Sequence, residues 1–329
     1  MKNKLKIALL LGGASPERQV SKSTGKSIYN ALRNLGHEVI LVDPAYGENQ
    51  PKTDDEFFAP ADVFNVGYKN YVASLKYIKD VDLAFLALHG KYGEDGTIQS
   101  LLELSGMKYT GAGVMSSSLS MDKNMSKIMF ERNGVACPKG FTVKAANDPK
   151  KAVEQIKKEL GFPCIVKPND QGSTIGLTIC KTEADVPGAI KAALDLSDQA
   201  LIEEYIEGRE LTVAVLDRKS LPICEISPKH NHYDYECKYT SGMSEYIVPA
   251  KLPDDVTKHL QAQALLAYDA VQCKTYGRVD FRLTPDFKSY CLEINTLPGM
   301  TSTSLVPKMA RAAGIEFDDL IKKIIELSL

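Results

Sequence analysis

The sequence predicts an α/β protein: a doubly wound α/β layer in the first third, then an α+β arrangement of short antiparallel strands and helices. Three observations carry that prediction. Strand-like and helix-like runs alternate from Lys6 to Ser105. The run Asp82 to Leu88 is almost continuously apolar, as a central parallel strand buried on both faces must be. Near the end, Gly277 to Leu283 and Ser289 to Asn295 alternate polar and apolar residues, the period of half-buried strands.

Taken in order, Lys6 to Leu11 reads as the first strand, Ser23 to Leu35 as a helix stopped by Gly36, and Glu38 to Asp43 as the second strand. Tyr46 to Asp62, rich in Pro, Gly and Asp, reads as a surface loop. Thr97 to Ser105 is a helix closed by Gly106, and Asp122 to Arg132 another, ending at Gly134. A strand near Phe141, a helix from Pro149 to Leu160, strands Pro163 to Lys167 and Leu177 to Cys180, a helix from Glu183 to Leu194 and a strand Leu201 to Tyr205 form a small α+β unit. Beyond Glu210 come further hairpins, a helix from Asp254 to Val271, the alternating hairpin and two closing helices. The expected domains are 1–121, 122–209 and 210–329.

The hairpin holds the most informative residues. Pro285-Asp286-Phe287-Lys288 suits a short loop, and symmetric pairing about it sets Asp280 opposite Glu293 and Arg278 opposite Asn295. Like charges facing each other across a sheet are destabilising unless something neutralises them. Asp280, Glu293 and Asn295 offer hard oxygen ligands suited to magnesium completed by phosphate oxygens. The competing reading is a solvated charged face with Arg278 and Arg282 as counterions. The loop Thr296 to Leu305 follows, rich in small residues, and Ser302 or Ser304 is placed to cap the next helix. Its backbone N–H groups and hydroxyls suit an anion.

Two further stretches fit a nucleotide. Lys167 ends a strand that leads into Pro168 to Gly176, where Gly172 and Gly176 free the backbone to close over phosphates. Leu201 to Glu210 reads as a strand leaving one unit for the next, a usual place for a ligand, with Glu210 a candidate acceptor for ribose hydroxyls. The chain has no Walker A loop, because Val20 stands where Gly25-Lys26-Ser27 would need its first glycine. Gly12-Gly13-Ala14-Ser15 lacks the G-x-G-x-x-G of dinucleotide-binding dehydrogenases.

Composition narrows the class. With 25% charged residues and a formal net charge of −2, the chain has no bias toward nucleic acid. No apolar run approaches the roughly 18 residues of a membrane span. The basic start before Ile7 to Leu11 reads as a strand, not a signal peptide. Seven scattered cysteines, with no C-x-x-C, read as reduced core residues of a cytoplasmic protein.

The order of these parts resembles the ATP-grasp superfamily and, more narrowly, the D-alanine:D-alanine ligase family. Five blocks carry the resemblance: Gly12 to Ser21, Leu88 to Gly96, Ser120 to Lys123, Gly172 to Gly176, and the Glu293-to-Thr301 run E-x-N-T-x-P-G-M-T. It implies an N-terminal doubly wound α/β domain followed by a two-lobed ATP-grasp α+β fold. It implies ligation of two D-alanine molecules to D-alanyl-D-alanine through a D-alanyl phosphate, for peptidoglycan precursors, by a cytoplasmic homodimer. The implied cofactors are ATP and two magnesium ions, with manganese as a substitute. Lys123, Lys167 and Lys238 would contact phosphates, and Glu203, Glu204, Ile206 and Glu210 the adenosine. Asp280, Glu293 and Asn295 would hold metal. Arg278 and the Gly299 N–H would stabilise the tetrahedral oxyanion.

Glu17 would take the first substrate's ammonium with His89 nearby, and Ser304 with the Leu305 backbone the second carboxylate. Tyr239, Ser173 and Glu17 would form a hydrogen-bonded triad, Tyr239 resting on the match of Glu236-Cys237-Lys238-Tyr239 to E-x-K-Y. Two alternatives stand beside this reading: a ligase using D-lactate second, against which Tyr239 argues, and a catalytically silent nucleotide-binding regulator.

Overall fold

The computed structural model describes residues 4–228 and 244–329. Its first sheet is parallel, in the order β2-β1-β3, from β1 (Lys6–Leu10), β2 (Glu38–Val42) and β3 (Leu83–Leu86). All four residues of β3 are buried, as its apolar run requires. Helix α1 (Arg18–Asn34) follows β1 and buries Ile28 and Leu32 against the sheet, worth about 1.5–3 kcal/mol each.

Helix α1 begins five residues before the predicted Ser23. Its first turns are buried through polar partners, which apolar periodicity does not register. The Arg18 guanidinium pairs with Asp43 at 2.6 Å and Asp62 at 2.7 Å, and donates to the Gly13 carbonyl at 2.7 Å. Lys22 reaches the same Asp62 at 3.0 Å. The predicted loop from Tyr46 to Asp62 is therefore no loose surface segment. It contains a short helix, Asp54–Phe58, opened by a Thr53/Glu56 capping box, and it buries Tyr46 and Phe57. Helices α2 (Thr97–Leu104) and α3 (Val114–Met121) complete this region.

Helix α4 (Lys123–Arg132) starts where Asp122 accepts the Met125 N–H at 2.9 Å. An antiparallel sheet follows in the order β4-β7-β5-β6, from β4 (Gly140–Val143), β5 (Cys164–Pro168), β6 (Thr178–Cys180) and β7 (Ala200–Glu204). Helices α5 (Pro149–Glu159) and α6 (Val186–Leu194) enclose its core. The predicted helix start at Glu183 is a short 3-10 turn, Glu183–Asp185, leading into α6.

The third sheet runs β11-β10-β8-β12-β13, with β9 on β8. Its strands are β8 (Arg209–Leu216), β9 (Lys219–Ser220), β10 (Cys224–Pro228), β11 (Ser244–Ile247), β12 (Tyr276–Leu283) and β13 (Ser289–Asn295). Alternation along β8 explains how it serves two layers. Leu211, Val213 and Val215 pack in the core under helix α7 (Asp254–Ala270). Ala214 and Leu216 point the other way, into a core shared with the first sheet. Helices α8 (Leu305–Ala312) and α9 (Phe317–Ser328) join that same core. On this second face of β8 and β12 the apolar residues give way to Glu210, Thr212, Arg278, Asp280 and Arg282. That change of character opens a cleft between the second and third sheets.

The six described cysteines are all free and buried, and burial pushes the Cys137, Cys224 and Cys273 thiols up to about 12. Among the described residues no helix is long and apolar enough to cross a membrane.

Candidate active site

The β12–β13 register places Asp280 opposite Glu293 and Arg278 opposite Asn295, as symmetric pairing predicts. Nearer the loop the pairing differs by one residue: Leu283 faces Ser289 and Phe281 faces Cys291. A β-bulge beside Asp280 takes up the extra residue, Leu292. It brings Leu292 and its neighbour Glu293 both to the cleft wall, which unbroken alternation would forbid.

Charge compensation at this pair is explicit. Arg278 donates to the two Asp280 oxygens at 2.9 and 2.8 Å, Asn295 donates at 3.0 Å and the Thr212 hydroxyl at 2.6 Å. Lys123 lies 3.2 Å from Glu293. Asn295 spends its amide N–H₂ on Asp280, which leaves its carbonyl oxygen to act with the two carboxylates. This donor set, hard oxygens and too few to complete a coordination shell, fits magnesium bound together with phosphate. No group of three or more His, Cys, Asp or Glu among the described residues forms an all-protein cage.

The cleft above the hairpin is lined by Lys123, Lys167, Glu204, Ile206 and Glu210, with Ile165, Ile179 and Leu292 as apolar walls. Lys167 is buried, 2.7 Å from Glu203, whose other oxygen pairs with Lys127. Burial, with Lys127 beside it, pulls the Lys167 pKa well down, and burial brings Lys127 to about 8. The Glu203 carboxylate is thus engaged by two lysines. That of Glu204 accepts the Lys139 N–H at 2.8 Å.

The loop between β5 and β6 covers this cleft and reaches a second one. It is fastened to α4, since Lys123 donates to the Gln171 carbonyl at 2.7 Å and Asn169 accepts the Asn124 N–H at 2.9 Å. Ser173 and Thr174 have φ of 52° and 62°, a left-handed turn that aims the Ser173 hydroxyl at Glu17, to which it donates. Gly172 lets the loop approach Glu17 closely: a Cβ there would stand 3.0 Å from a Glu17 oxygen and would press on the carboxylate that Ser173 holds.

Glu17 follows β1 and His89 follows β3, so both stand at the carboxyl ends of the strands where the order reverses, the usual ligand position in such sheets. Both are buried. Around them the second cavity gathers Ser173, Arg278, Asn295, Gly299, Ser304 and Leu305. Ser304 occupies the cap position of α8, but its side chain makes no capping bond. Its hydroxyl accepts the Thr301 N–H at 3.0 Å and so closes the preceding loop, a departure from the expected helix cap. The two cavities share Gly172, Arg278 and Glu293, which therefore mark the passage between them.

His89 lies 3.0 Å from the Thr24 hydroxyl and 3.8 Å from Glu94. Burial alone would lower its pKa, but Glu94, with Glu17 behind it, outweighs that and raises it above 6.5. A raised folded pKa gives stability that is full below the unfolded value and lost as pH rises through the folded one. Glu94→Gln is accordingly expected to lower the His89 pKa, read by NMR titration of the imidazole. The wild-type advantage in thermal unfolding should be larger at about pH 5.5 than at about pH 8. An unshifted imidazole titration would remove Glu94 from the account.

Sequence reasoning missed Thr24, Glu94, Lys127 and Thr212. Lys127 had a signal, one helical turn after Lys123, and Thr212 another, a lone polar residue in the apolar run of β8. Lys238 and Tyr239 lie outside the described residues.

A cleft between two antiparallel α+β units, floored by a D…E-x-N hairpin and covered by a glycine loop, defines the ATP-grasp class of ligases. Residues 6–112 match the family described as D-ala D-ala ligase N-terminus, and residues 129–326 the D-ala D-ala ligase C-terminus. The chain is 42% identical to the D-alanine--D-alanine ligase of Syntrophotalea carbinolica, covering 97% of this chain and 95% of the relative. It is 42% identical to that of Halalkalibacterium halodurans over 99% of both. The solved D-alanine--D-alanine ligase from Bacillus anthracis complexed with ATP aligns with a TM-score of 0.78 at 32% identity, over 98% of this chain and 96% of that one. The VanG D-Ala:D-Ser ligase of Enterococcus faecalis aligns over the whole of both chains with a TM-score of 0.82 at 28% identity. This chain belongs to the D-alanine--D-alanine ligase family.

Proposed function

We propose that this enzyme joins two D-alanine molecules into D-alanyl-D-alanine at the expense of ATP, supplying peptidoglycan precursors. One observation carries the reading most directly: a cleft lined by Lys123, Lys167, Glu204 and Glu210 and a polar cavity lined by Glu17, His89 and Ser304 meet at Arg278 and Glu293. In the first step the carboxylate of one D-alanine attacks the γ-phosphorus of ATP, forming D-alanyl phosphate and ADP. In the second, the amine of another D-alanine attacks the acyl carbon, loses a proton and expels inorganic phosphate.

Lys123 and Lys167, with Lys238, neutralise the phosphates, and Glu203, Glu204, Ile206 and Glu210 line the adenosine site, Glu203 also holding Lys167. Asp280, Glu293 and Asn295 would hold magnesium, with manganese as substitute, which when bound neutralises the transferring phosphoryl group. Glu17 takes the first ammonium. Arg278 and the Gly299 N–H face the oxyanion, and Ser304 with the Leu305 N–H the second carboxylate. The Ser173–Glu17 bond supports the triad to which Tyr239 is assigned. Three units, 1–121, 122–209 and 210–329, a homodimer and a cytoplasmic location belong to the same proposal.

The test is phosphate release on mixing the chain with MgATP and D-alanine. Release of one phosphate per dipeptide, absent without D-alanine, is expected. Nucleotide binding with no turnover would mark a silent regulator. Faster coupling to D-lactate or D-serine than to D-alanine would reassign the second substrate.

A further inference from the structure

Arg282 is a cleft residue to which the mechanism above gives no task. It stands on β12 directly opposite Glu210 of β8. Its Nε donates to the Ile206 carbonyl at 3.1 Å, and its Nη1 lies 3.4 Å from Glu210 Oε2. The side chains of Arg282 and Glu210 are 17% and 18% exposed, so the pair is shielded but borders the cleft. Ile206 belongs to the segment that crosses from β7 to β8. The crossing is held at a second point by Gly208, where any Cβ would strike the Leu283 carbonyl at 2.0 Å. The end of β12 therefore fixes the crossing twice, once by backbone packing and once by a guanidinium.

A glutamate at the start of a strand has several rotamers, and accepting a hydroxyl requires one of them to be held. A planar guanidinium anchored on one side by a carbonyl supplies that restraint, because its donors have fixed relative directions. The Ile206 carbonyl keeps a second lone pair for a ligand donor. We infer that Arg282 is a positioning residue for the nucleoside: it fixes the Glu210 carboxylate and the Ile206 carbonyl, and so sets the preference of the enzyme for a ribonucleotide over a deoxyribonucleotide. The inference rests on the reading of Glu210 as the ribose acceptor.

The experiment compares ATP, 2′-deoxy-ATP and 3′-deoxy-ATP in dipeptide synthesis by the full chain and by Arg282→Met, Arg282→Lys and Glu210→Ala. The wild type should favour ATP. Arg282→Met should lower that preference by about 5- to 10-fold, through KM and with little change in kcat, as loss of a charged hydrogen-bonding partner implies. Arg282→Lys, which can reach the carbonyl or the carboxylate but not both, should fall between, and it serves alone if the Met variant does not fold. Glu210→Ala should abolish the preference. If Glu210→Ala abolishes it while both Arg282 variants keep it, or lose affinity equally for the three nucleotides, Arg282 is scaffolding and the inference is wrong. If Glu210→Ala keeps the full preference, the ribose role of Glu210 falls and the inference falls with it.

Discussion

Glu293→Gln should leave a folded protein with turnover reduced at least about a thousand-fold, the scale on which several kcal/mol of charge stabilisation at a transferring phosphoryl group appears as rate. The substitution keeps size and shape, so the bulge that carries Leu292 and Glu293 to the cleft has no reason to close. On the stability side two small effects oppose. Lys123, which is buried, loses its ion pair with Glu293 at 3.2 Å but can still donate to the glutamine carbonyl, a cost of about 1–2 kcal/mol. Asp280 loses a like charge directly opposite, a gain of similar size. The midpoint of thermal unfolding should therefore move by no more than a few degrees while phosphate release disappears. A cooperatively folded variant that turns over at the wild-type rate would strike Glu293 from the phosphate-facing set, and with it the magnesium assignment.

Much of this site could be read from the sequence because its central part is local. Arg278, Asp280, Glu293 and Asn295 lie on two strands joined by one short turn, and period-2 alternation puts them on one face before any tertiary contact is known. The same holds for β1, β2 and β3, whose apolar runs and bounding glycines are local signals. What alternation could not supply was the bulge at Leu292, since a bulge breaks the rule being used. The start of α1 escaped for a different reason. Arg18 and Lys22 are buried by Asp43 and Asp62, and a buried charge in a network has the same letter as an exposed one. The meeting of Ser173 with Glu17, 156 residues apart, depends on three sheets being packed together. There the family resemblance, not periodicity, supplied the expectation.

Arg278→Lys is the second large effect, and it separates charge from geometry. Arg278 spends Nε and Nη2 on Asp280, at 2.9 and 2.8 Å, and stands where the nucleotide cleft and the polar cavity meet. That fork holds the guanidinium plane fixed, so the directions of its donors are set before charge develops on the acyl oxygen. Lysine keeps the positive charge but not the fork, and its ammonium can satisfy Asp280 or a developing oxyanion, not both in a fixed direction. Dipeptide synthesis should fall about 100- to 1000-fold, as when one donor to an oxyanion is lost, with KM for ATP changing much less. The loss should fall on the second step. Formation of D-alanyl phosphate, followed by positional isotope exchange in ATP, should persist in the variant while dipeptide does not accumulate. Equal loss of exchange and synthesis would place Arg278 in phosphoryl transfer through its hold on Asp280. Retention of near-wild-type synthesis would mean that a positive charge near the acyl oxygen is enough, and that the fork on Asp280 is a structural contact without a catalytic consequence.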